Sequence, residues 1–186
     1  MAKNIGLFCA SRSSSDPRLT DAAYRFGQAV AKRGWGLVYG GGDNGLMGAA
    51  ADGALSANGR VIGVIPPYLL AKEGDRKDLT EKHVVETLAE RKELIVQKSD
   101  AFVVMPGGVG TLDELSEVWT WHILGLHNKP IGIYNVDGYF NHLIAFFEHM
   151  VALELTGENY MKALFITDTL DEMLDAFKLE ENSNDK

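Results

Sequence analysis

A glycine-rich segment followed by an acidic residue is the part of the sequence best suited to chemistry. It follows a short apolar run, leads into a helical pattern and reads Pro106-Gly107-Gly108-Val109-Gly110-Thr111-Leu112-Asp113-Glu114. Glycines let a backbone approach an anion closely, and the free N–H groups at a helix start attract negative charge. The segment therefore predicts a phosphate site, with Thr111 capping the helix or donating its hydroxyl to phosphate. A Walker A loop is excluded because no Gly-Lys-Ser/Thr follows.

Glu114 lies three residues after Thr111, so the two side chains share one face of the predicted helix. One interpretation is a capping box, in which the carboxylate bonds back to the helix start. The other is catalytic, because a carboxylate one turn from a bound 5′-phosphate lies near the sugar of a nucleotide. There it can polarise water or stabilise the positive charge that develops at C1′ when an N-glycosidic bond breaks. We expect Asp113 and Glu117 to be solvated or paired.

A second glycine cluster follows an earlier apolar run, and its Gly40, Gly42 and Gly45 match the pattern G-x-G-x-x-G. A dinucleotide fingerprint follows the first strand and is followed about 20 residues later by an acidic residue. Here the cluster follows the second strand and the acidic residue is missing, so NAD binding is disfavoured. Two interpretations remain. The glycines permit a tight turn and close helix packing, or the loop also lies against a nucleotide and adds Gly41, Gly42 and Met47 to the binding site.

Short apolar runs alternate with helical patterns along the chain. Strands are predicted at residues 5–9, 35–39, 60–65, 101–105, 131–134 and 164–167. Helices are predicted at 19–33, 44–57, 80–98, 111–124, 138–153 and 170–177, with a charged loop at 68–79. Strands that are apolar on both faces and alternate with helices are typical of a parallel sheet covered on both sides. We predict an α/β protein with a Rossmann-like, doubly wound sheet, in which residues 1–179 form a single domain and 180–186 a polar tail.

Composition narrows the classes of partner. The net charge of −8 over 186 residues disfavours a nucleic-acid surface, which needs a basic face. The single cysteine, Cys9, rules out an internal disulfide and suits a reducing compartment. No apolar run approaches the length of a membrane span, and the first residues lack a signal-peptide core. The five histidines show no metal-ligand spacing. We therefore expect a cytoplasmic protein without metal, membrane or nucleic-acid partners.

Several further segments occur in the order of a known family pattern. They are Phe8-Cys9-Ala10-Ser11, Val38-Tyr39-Gly40-Gly41-Gly42, Gly45-Leu46-Met47-Gly48, Glu90-Arg91-Lys92, Ser99-Asp100-Ala101-Phe102, Thr120-Trp121, Lys129-Pro130 and Asn135-Val136-Asp137-Gly138-Tyr139. Together with the P-G-G-x-G-T-x-x-E string, they cover most of the chain. In these segments the sequence resembles the LOG family of cytokinin riboside 5′-monophosphate phosphoribohydrolases, often mislabelled lysine decarboxylases.

The resemblance implies a Rossmann-like homodimer with active sites near the dimer interface. It implies hydrolysis of N6-modified adenosine monophosphates, or of AMP, to the free base and ribose 5-phosphate, without a cofactor or metal. Carried over by position, Arg91 and Glu114 are the catalytic pair. The residues implied to contact the nucleotide are Glu73, Lys92, Thr120 and the loop 108–114.

The residues alone leave several of these roles open. Arg91 also fits a solvated helix face, Lys92 need not point the same way, and Glu73 lies in a charged loop. Thr120 is either a contact to a partner subunit or a packed β-branched residue. The sequence also departs from the family pattern after the first strand, where Cys9-Ala10-Ser11-Arg12 replaces Gly-Ser-Ser and adds an arginine near the expected site. The preferred base is therefore open.

Two other function classes compete with the hydrolase. A carrier or regulatory protein with the same phosphate loop would bind AMP without releasing adenine. A decarboxylase would need pyridoxal phosphate held as a Schiff base on a lysine, and nothing in the sequence marks such a lysine. The intact Arg91 and Glu114 favour the hydrolase.

Overall fold

The computed structural model describes residues 3–179, so the predicted tail at 180–186 lies outside the described residues. The strands are β1 (Asn4–Phe8), β2 (Gly36–Tyr39), β3 (Val61–Ile65), β4 (Glu81–Val84), β5 (Ala101–Val104), β6 (Ile131–Tyr134) and β7 (Leu164–Thr167). The helices are α1 (Pro17–Lys32), α2 (Gly45–Ser56), α3 (Pro67–Glu73), α4 (Leu88–Lys98), α5 (Val109–Ile123), α6 (Asn141–Ala152), α7 (Glu158–Met161) and α8 (Leu170–Ala176). A 3₁₀ turn at Val136–Gly138 precedes α6.

All seven strands pair in parallel in the order β4-β3-β2-β1-β5-β6-β7. From β1 to β4 the sheet grows in one direction, and from β5 to β7 it grows in the other. The strand order therefore reverses between β1 and β5, and the carboxyl ends of these two strands flank the crevice where such sheets bind ligands. This topology confirms the predicted doubly wound α/β sheet.

Helices cover both faces of the sheet because its central strands are apolar on both sides. Alternate residues of β1 point to opposite faces: Ile5 and Leu7 pack in the same cluster as buried residues of α1, α2 and α8. Phe8 packs in a second cluster with buried residues of α4, α5 and α6. The helices that follow β1 and β5 therefore lie on opposite faces, and their loops meet at the edge of the sheet. None of the helices within residues 3–179 is long and apolar enough to cross a membrane.

The predicted helix at 80–98 is wrong in its first part. Residues Glu81–Val84 form β4 at the edge of the sheet, and α4 begins only at Leu88, where the Thr87 hydroxyl accepts from the Glu90 N–H at 3.1 Å. An edge strand carries charged side chains on its exposed positions, and here they imitate an amphipathic helix. The predicted loop at 68–79 is also corrected, since Pro67 is the first residue of α3. A proline suits that position because its missing N–H has no partner there in any case.

Candidate active site

A cavity of about 450 Å³ opens at the edge of the sheet where the strand order reverses. Its walls come from the loops after β1 and β5, with contributions from α2, α3, α4 and α5. The lining residues are Cys9, Ala10, Ser11, Arg12, Met47, Glu73, Arg91, Gly108, Val109, Gly110, Thr111 and Glu114. Elements far apart in sequence therefore meet at the position where ligands bind in doubly wound folds.

Arg91 is held rigidly in the first turns of α4, with only 5% of its surface exposed. Its Nε donates to the Val64 carbonyl at 3.0 Å, and its Nη2 donates to the Gly40 carbonyl at 2.7 Å. The same Nη2 donates to Oε2 of Glu73 at 2.9 Å. A Cβ at Gly40 would lie 2.0 Å from Nη2, so glycine is required there to admit the guanidinium. Arg91 is thus a fixed cation in the cavity wall, not a solvated side chain.

Glu73, the partner of Arg91, ends α3 and is fixed through its backbone as well. Its carbonyl oxygen accepts from the N–H groups of Asp43 and Asn44 at 2.6 and 3.1 Å. Just beyond it, the buried Arg76 donates to Asp43 at 3.1 Å and to Asp52 at 2.6 Å, which ties the segment to α2. These contacts hold the Glu73 carboxylate against Arg91 and explain why a residue in a charged segment is almost buried.

The second glycine segment turns from β5 into α5. Helix α5 begins at Val109 with Gly108 as its N-cap, so the predicted capping role of Thr111 and the capping box with Glu114 are wrong. Thr111 is instead a buried residue of the first turn. A Cβ at Gly107 would lie 2.1 Å from its Oγ1, so the glycine makes room for this hydroxyl.

Gly108 and Gly110 are required by nothing in the free protein. Neither has a positive φ, and a Cβ at either position would meet no heavy atom of the described residues within 4 Å, outside its chain neighbours and its own helix backbone. Glycine therefore serves neither turn geometry nor packing there. What it leaves is open space above the N–H groups at the start of α5, which is the arrangement that binds phosphate.

Glu114 lies one turn further along α5 and is 7% exposed. Burial raises the pKa of its carboxyl to about 8, Arg91 opposes the rise, and Glu73 adds to it. No ion pair joins Arg91 to Glu114 within residues 3–179, since the guanidinium is paired with Glu73. Burial, Glu114 and Glu73 also raise the pKa of the Cys9 thiol, which disfavours the thiolate form that acts as a nucleophile.

The structure brings together part of the predicted site. The predicted residues that line the cavity are Met47, Glu73, Arg91, Gly108, Val109, Gly110, Thr111 and Glu114. The predicted residues that do not line it are Gly41, Gly42, Lys92, Gly107, Leu112, Asp113 and Thr120.

The predicted residues outside the cavity wall lie behind it, in ion pairs between helices, or on the exposed surface of α5. Gly41 and Gly42 pack behind the wall, against Ile65 and Glu73. Lys92 points from α4 to α5 and forms ion pairs with Asp113 at 3.0 Å and Glu117 at 3.1 Å. Leu112 and Thr120 are exposed on the outer side of α5.

Sequence reasoning placed the segment Cys9-Ala10-Ser11-Arg12 near the expected site without counting it among the binding residues, and all four residues line the cavity. The position of this segment in the fold could have identified it as part of the site. A polar, charged segment directly after the first strand lies beside the point where the strand order reverses, whatever its residue types. The same lining contains no lysine in the described part of the chain, so the cavity offers no amine for a Schiff base.

Comparisons with known proteins identify the family of the chain. A family model described as "Possible lysine decarboxylase" matches residues 47–177. The Oryza sativa subsp. japonica protein named "Probable cytokinin riboside 5'-monophosphate phosphoribohydrolase LOGL9" is 44% identical over 150 residues, covering 81% of this chain and 66% of that relative. The Mycobacterium marinum cytokinin riboside 5′-monophosphate phosphoribohydrolase is 38% identical, covering 92% of this chain and 91% of its own length.

Among solved structures, the molybdenum cofactor binding protein from Rippkaea orientalis is similar, with a TM-score of 0.72 and 96% of each chain covered. Its 23% sequence identity supports a shared fold alone. The family match extends over most of the chain, and the Mycobacterium marinum relative matches nearly the whole length of both proteins. The chain belongs to the LOG family, several members of which are named cytokinin riboside 5′-monophosphate phosphoribohydrolases.

Proposed function

We propose that the protein hydrolyses the N-glycosidic bond of a nucleoside 5′-monophosphate, releasing the free base and ribose 5-phosphate. The substrates are cytokinin riboside 5′-monophosphates, AMP, or both. One observation carries the proposal: the cavity joins an open glycine loop at a helix start to a buried glutamate one turn away. The names of the relatives from rice and Mycobacterium marinum support the same reaction.

The phosphate binds at the start of α5. The N–H groups of Gly110 and Thr111 are free of helical partners at that position, and the helix dipole adds to their attraction for an anion. A 5′-phosphate bound there directs the ribose along α5, towards Glu114. The Arg91–Glu73 pair closes the wall opposite α5 and keeps a fixed positive charge beside the reacting sugar.

Glu114 acts on the water that attacks C1′. As a carboxylate it accepts a proton from this water while the C1′–N bond breaks and C1′ gains positive charge. The hydroxide adds to C1′, the bonding electrons leave with the base, and the proton passes from Glu114 to the base. A carboxyl group with a pKa of about 8 is suited to this exchange, because it takes up and releases a proton near neutral pH.

Base release from nucleotides tests the proposal directly. The protein is incubated with AMP and with isopentenyl-AMP, and free adenine or isopentenyladenine is measured by chromatography. We expect release from at least one substrate, and we expect Glu114→Gln to abolish it while affinity for inorganic phosphate persists. Nucleotide binding without base release from either substrate would support the carrier alternative and refute the hydrolase.

A homodimer in the cytoplasm completes the proposal. Exposed apolar side chains lie on the outward side of the layer formed by α4, α5 and α6, namely Leu88, Leu112, Leu124 and Phe146. Thr120 is likewise exposed on α5, between Leu112 and Leu124 in the sequence. Sedimentation of the protein at micromolar concentration tests this part, and a monomer would contradict it. The single, buried Cys9 is compatible with a reducing compartment.

A further inference from the structure

Arg12 is a charged side chain of the cavity that the chemistry above does not use. It lines the β1 side of the cavity and is exposed to solvent. Within residues 3–179 its guanidinium takes part in no ion pair, in contrast to Arg18 six residues later, which pairs with Asp16 and Asp137. Arg12 therefore presents a cation to the cavity that nothing in the described protein neutralises.

The backbone that carries Arg12 is held in place by both glycine segments. The Ala10 N–H donates to the Pro106 carbonyl at 3.1 Å, which joins the loop to the segment after β5. The Ala10 carbonyl accepts from the N–H groups of Leu46 and Met47 at 3.0 and 3.1 Å, at the start of α2. Gly45, with φ +62, packs so closely that a Cβ would lie 2.4 Å from the Arg12 carbonyl oxygen. An unpaired side chain on a fixed backbone suits a ligand contact, because binding then has to order the side chain but not the loop.

The charge balance of the cavity favours Arg12 as the partner of a bound anion. Glu73 and Glu114 are its acidic lining residues, and the chain as a whole carries a net charge of −8. The other cation in the cavity wall, Arg91, already donates hydrogen bonds from Nε and Nη2 to two carbonyls and to Glu73. A phosphate dianion at the start of α5 therefore lacks a counter-charge unless Arg12 supplies it.

We propose that Arg12 selects for the phosphate of the substrate, by forming a charge-assisted hydrogen-bonded pair with the anion bound at residues 108–111. The forked guanidinium matches a phosphate bidentately and brings the β1 and β5 sides of the cavity onto one ligand. The consequence is a preference for a nucleoside 5′-monophosphate over the unphosphorylated nucleoside. This inference rests on the proposed function for the identity of the ligand, but the anion contact is measurable without turnover.

Calorimetry with inorganic phosphate and with ribose 5-phosphate tests the contact, using Arg12→Gln, Arg12→Lys and Arg18→Gln. The last is the matched control, because Arg18 is an exposed arginine of the same region that does not line the cavity. We expect Arg12→Gln to weaken binding about tenfold or more. Arg12→Lys should recover part of the loss because the charge remains, and Arg18→Gln should bind as the wild type does. The gap between wild type and Arg12→Gln should narrow as salt is added, since the contact is exposed.

Steady-state kinetics then show whether Arg12 acts on substrate binding or on the chemical step. With AMP, Arg12→Gln should raise KM far more than it lowers kcat, so the preference for AMP over adenosine in kcat/KM should shrink. Equal phosphate affinity in the wild type and Arg12→Gln, or a loss that Arg12→Lys does not relieve in any part, would overturn the inference. Failure of the proposed function looks different: phosphate affinity would still fall in Arg12→Gln, but no variant, including the wild type, would release base.

Discussion

Glu114→Gln should make the protein more stable at alkaline pH, because it removes a carboxyl group that is costly to ionise where it lies. Burial raises the pKa of this group from 4.5 to about 8. Glutamine has nearly the same shape and carries no charge at any pH. The folded state of the variant therefore keeps the packing of α5 without the titration.

The magnitude follows from proton linkage. Between pH 4.5 and pH 8 the folded protein holds a proton on Glu114 that the unfolded chain has released. The stability contributed by that proton is complete below the unfolded pKa and is lost as the pH rises through the folded one, at about 1.4 kcal/mol for each pH unit. Between pH 5 and pH 8.5 the wild type should lose roughly 4 kcal/mol that Glu114→Gln retains. This is a large share of the roughly 5–15 kcal/mol that stabilises a typical domain.

Urea unfolding at a fixed protein concentration, repeated across this pH range, measures the difference. Glu148→Gln is the control, because it removes the same charge from an exposed position of α6. The free energy of unfolding of Glu114→Gln minus that of the wild type should grow steadily with pH, and the control should run parallel to the wild type. Parallel curves for Glu114→Gln would mean that the carboxylate ionises freely in the folded protein, and the assignment of Glu114 as a proton carrier near neutral pH would fall.

Two further substitutions separate binding from folding. Gly110→Ala should keep the stability of the fold or raise it by up to about 1 kcal/mol, since alanine favours helix and the described residues leave space for its methyl group. The same methyl group should weaken phosphate binding. Unchanged phosphate affinity in calorimetry would remove Gly110 from the anion site. Arg91→Lys should lower kcat/KM for AMP about a hundredfold or more, because a lysine cannot hold Val64, Gly40 and Glu73 together. Thermal unfolding should show a destabilised but folded variant, and wild-type activity would exclude a fixed guanidinium from the reaction.

The strands and the doubly wound topology follow from sequence because the central strands are buried on both faces and each carries an unbroken apolar run. The strand that escaped prediction is the edge strand β4. It pairs with β3 at the edge of the sheet, and its alternate residues Lys82 and Val84 are exposed, so its apolar pattern is mixed with charge. Hydrophobic periodicity reports burial, and the apolar pattern of a half-buried edge strand is too weak to distinguish it from the helix that follows.

The site was harder to predict, because its decisive contacts join residues without any common local pattern. The pairing of Arg91 with Glu73 depends on where α3 ends relative to α4, and the buried guanidinium of Arg91 also needs the carbonyls of Gly40 and Val64 as acceptors. Nothing in the spacing of these residues encodes that geometry. The start of α5 was misplaced by two residues for a different reason: Gly108 caps the helix without a side-chain hydrogen bond, so the threonine two positions into the helix looked like the cap.

The two glycine segments look alike in sequence, and their surroundings separate them. In the first segment the space beside the glycine is already filled, since a Cβ at Gly40 would meet the guanidinium of Arg91 at 2.0 Å. In the second segment the space beside Gly108 and Gly110 is empty of described atoms within 4 Å. The first segment therefore accommodates the protein's own Arg91, and the second leaves open the space that we propose for the phosphate. A methyl group should accordingly cost folding stability at position 40, where it displaces Arg91, and should cost ligand affinity alone at position 110.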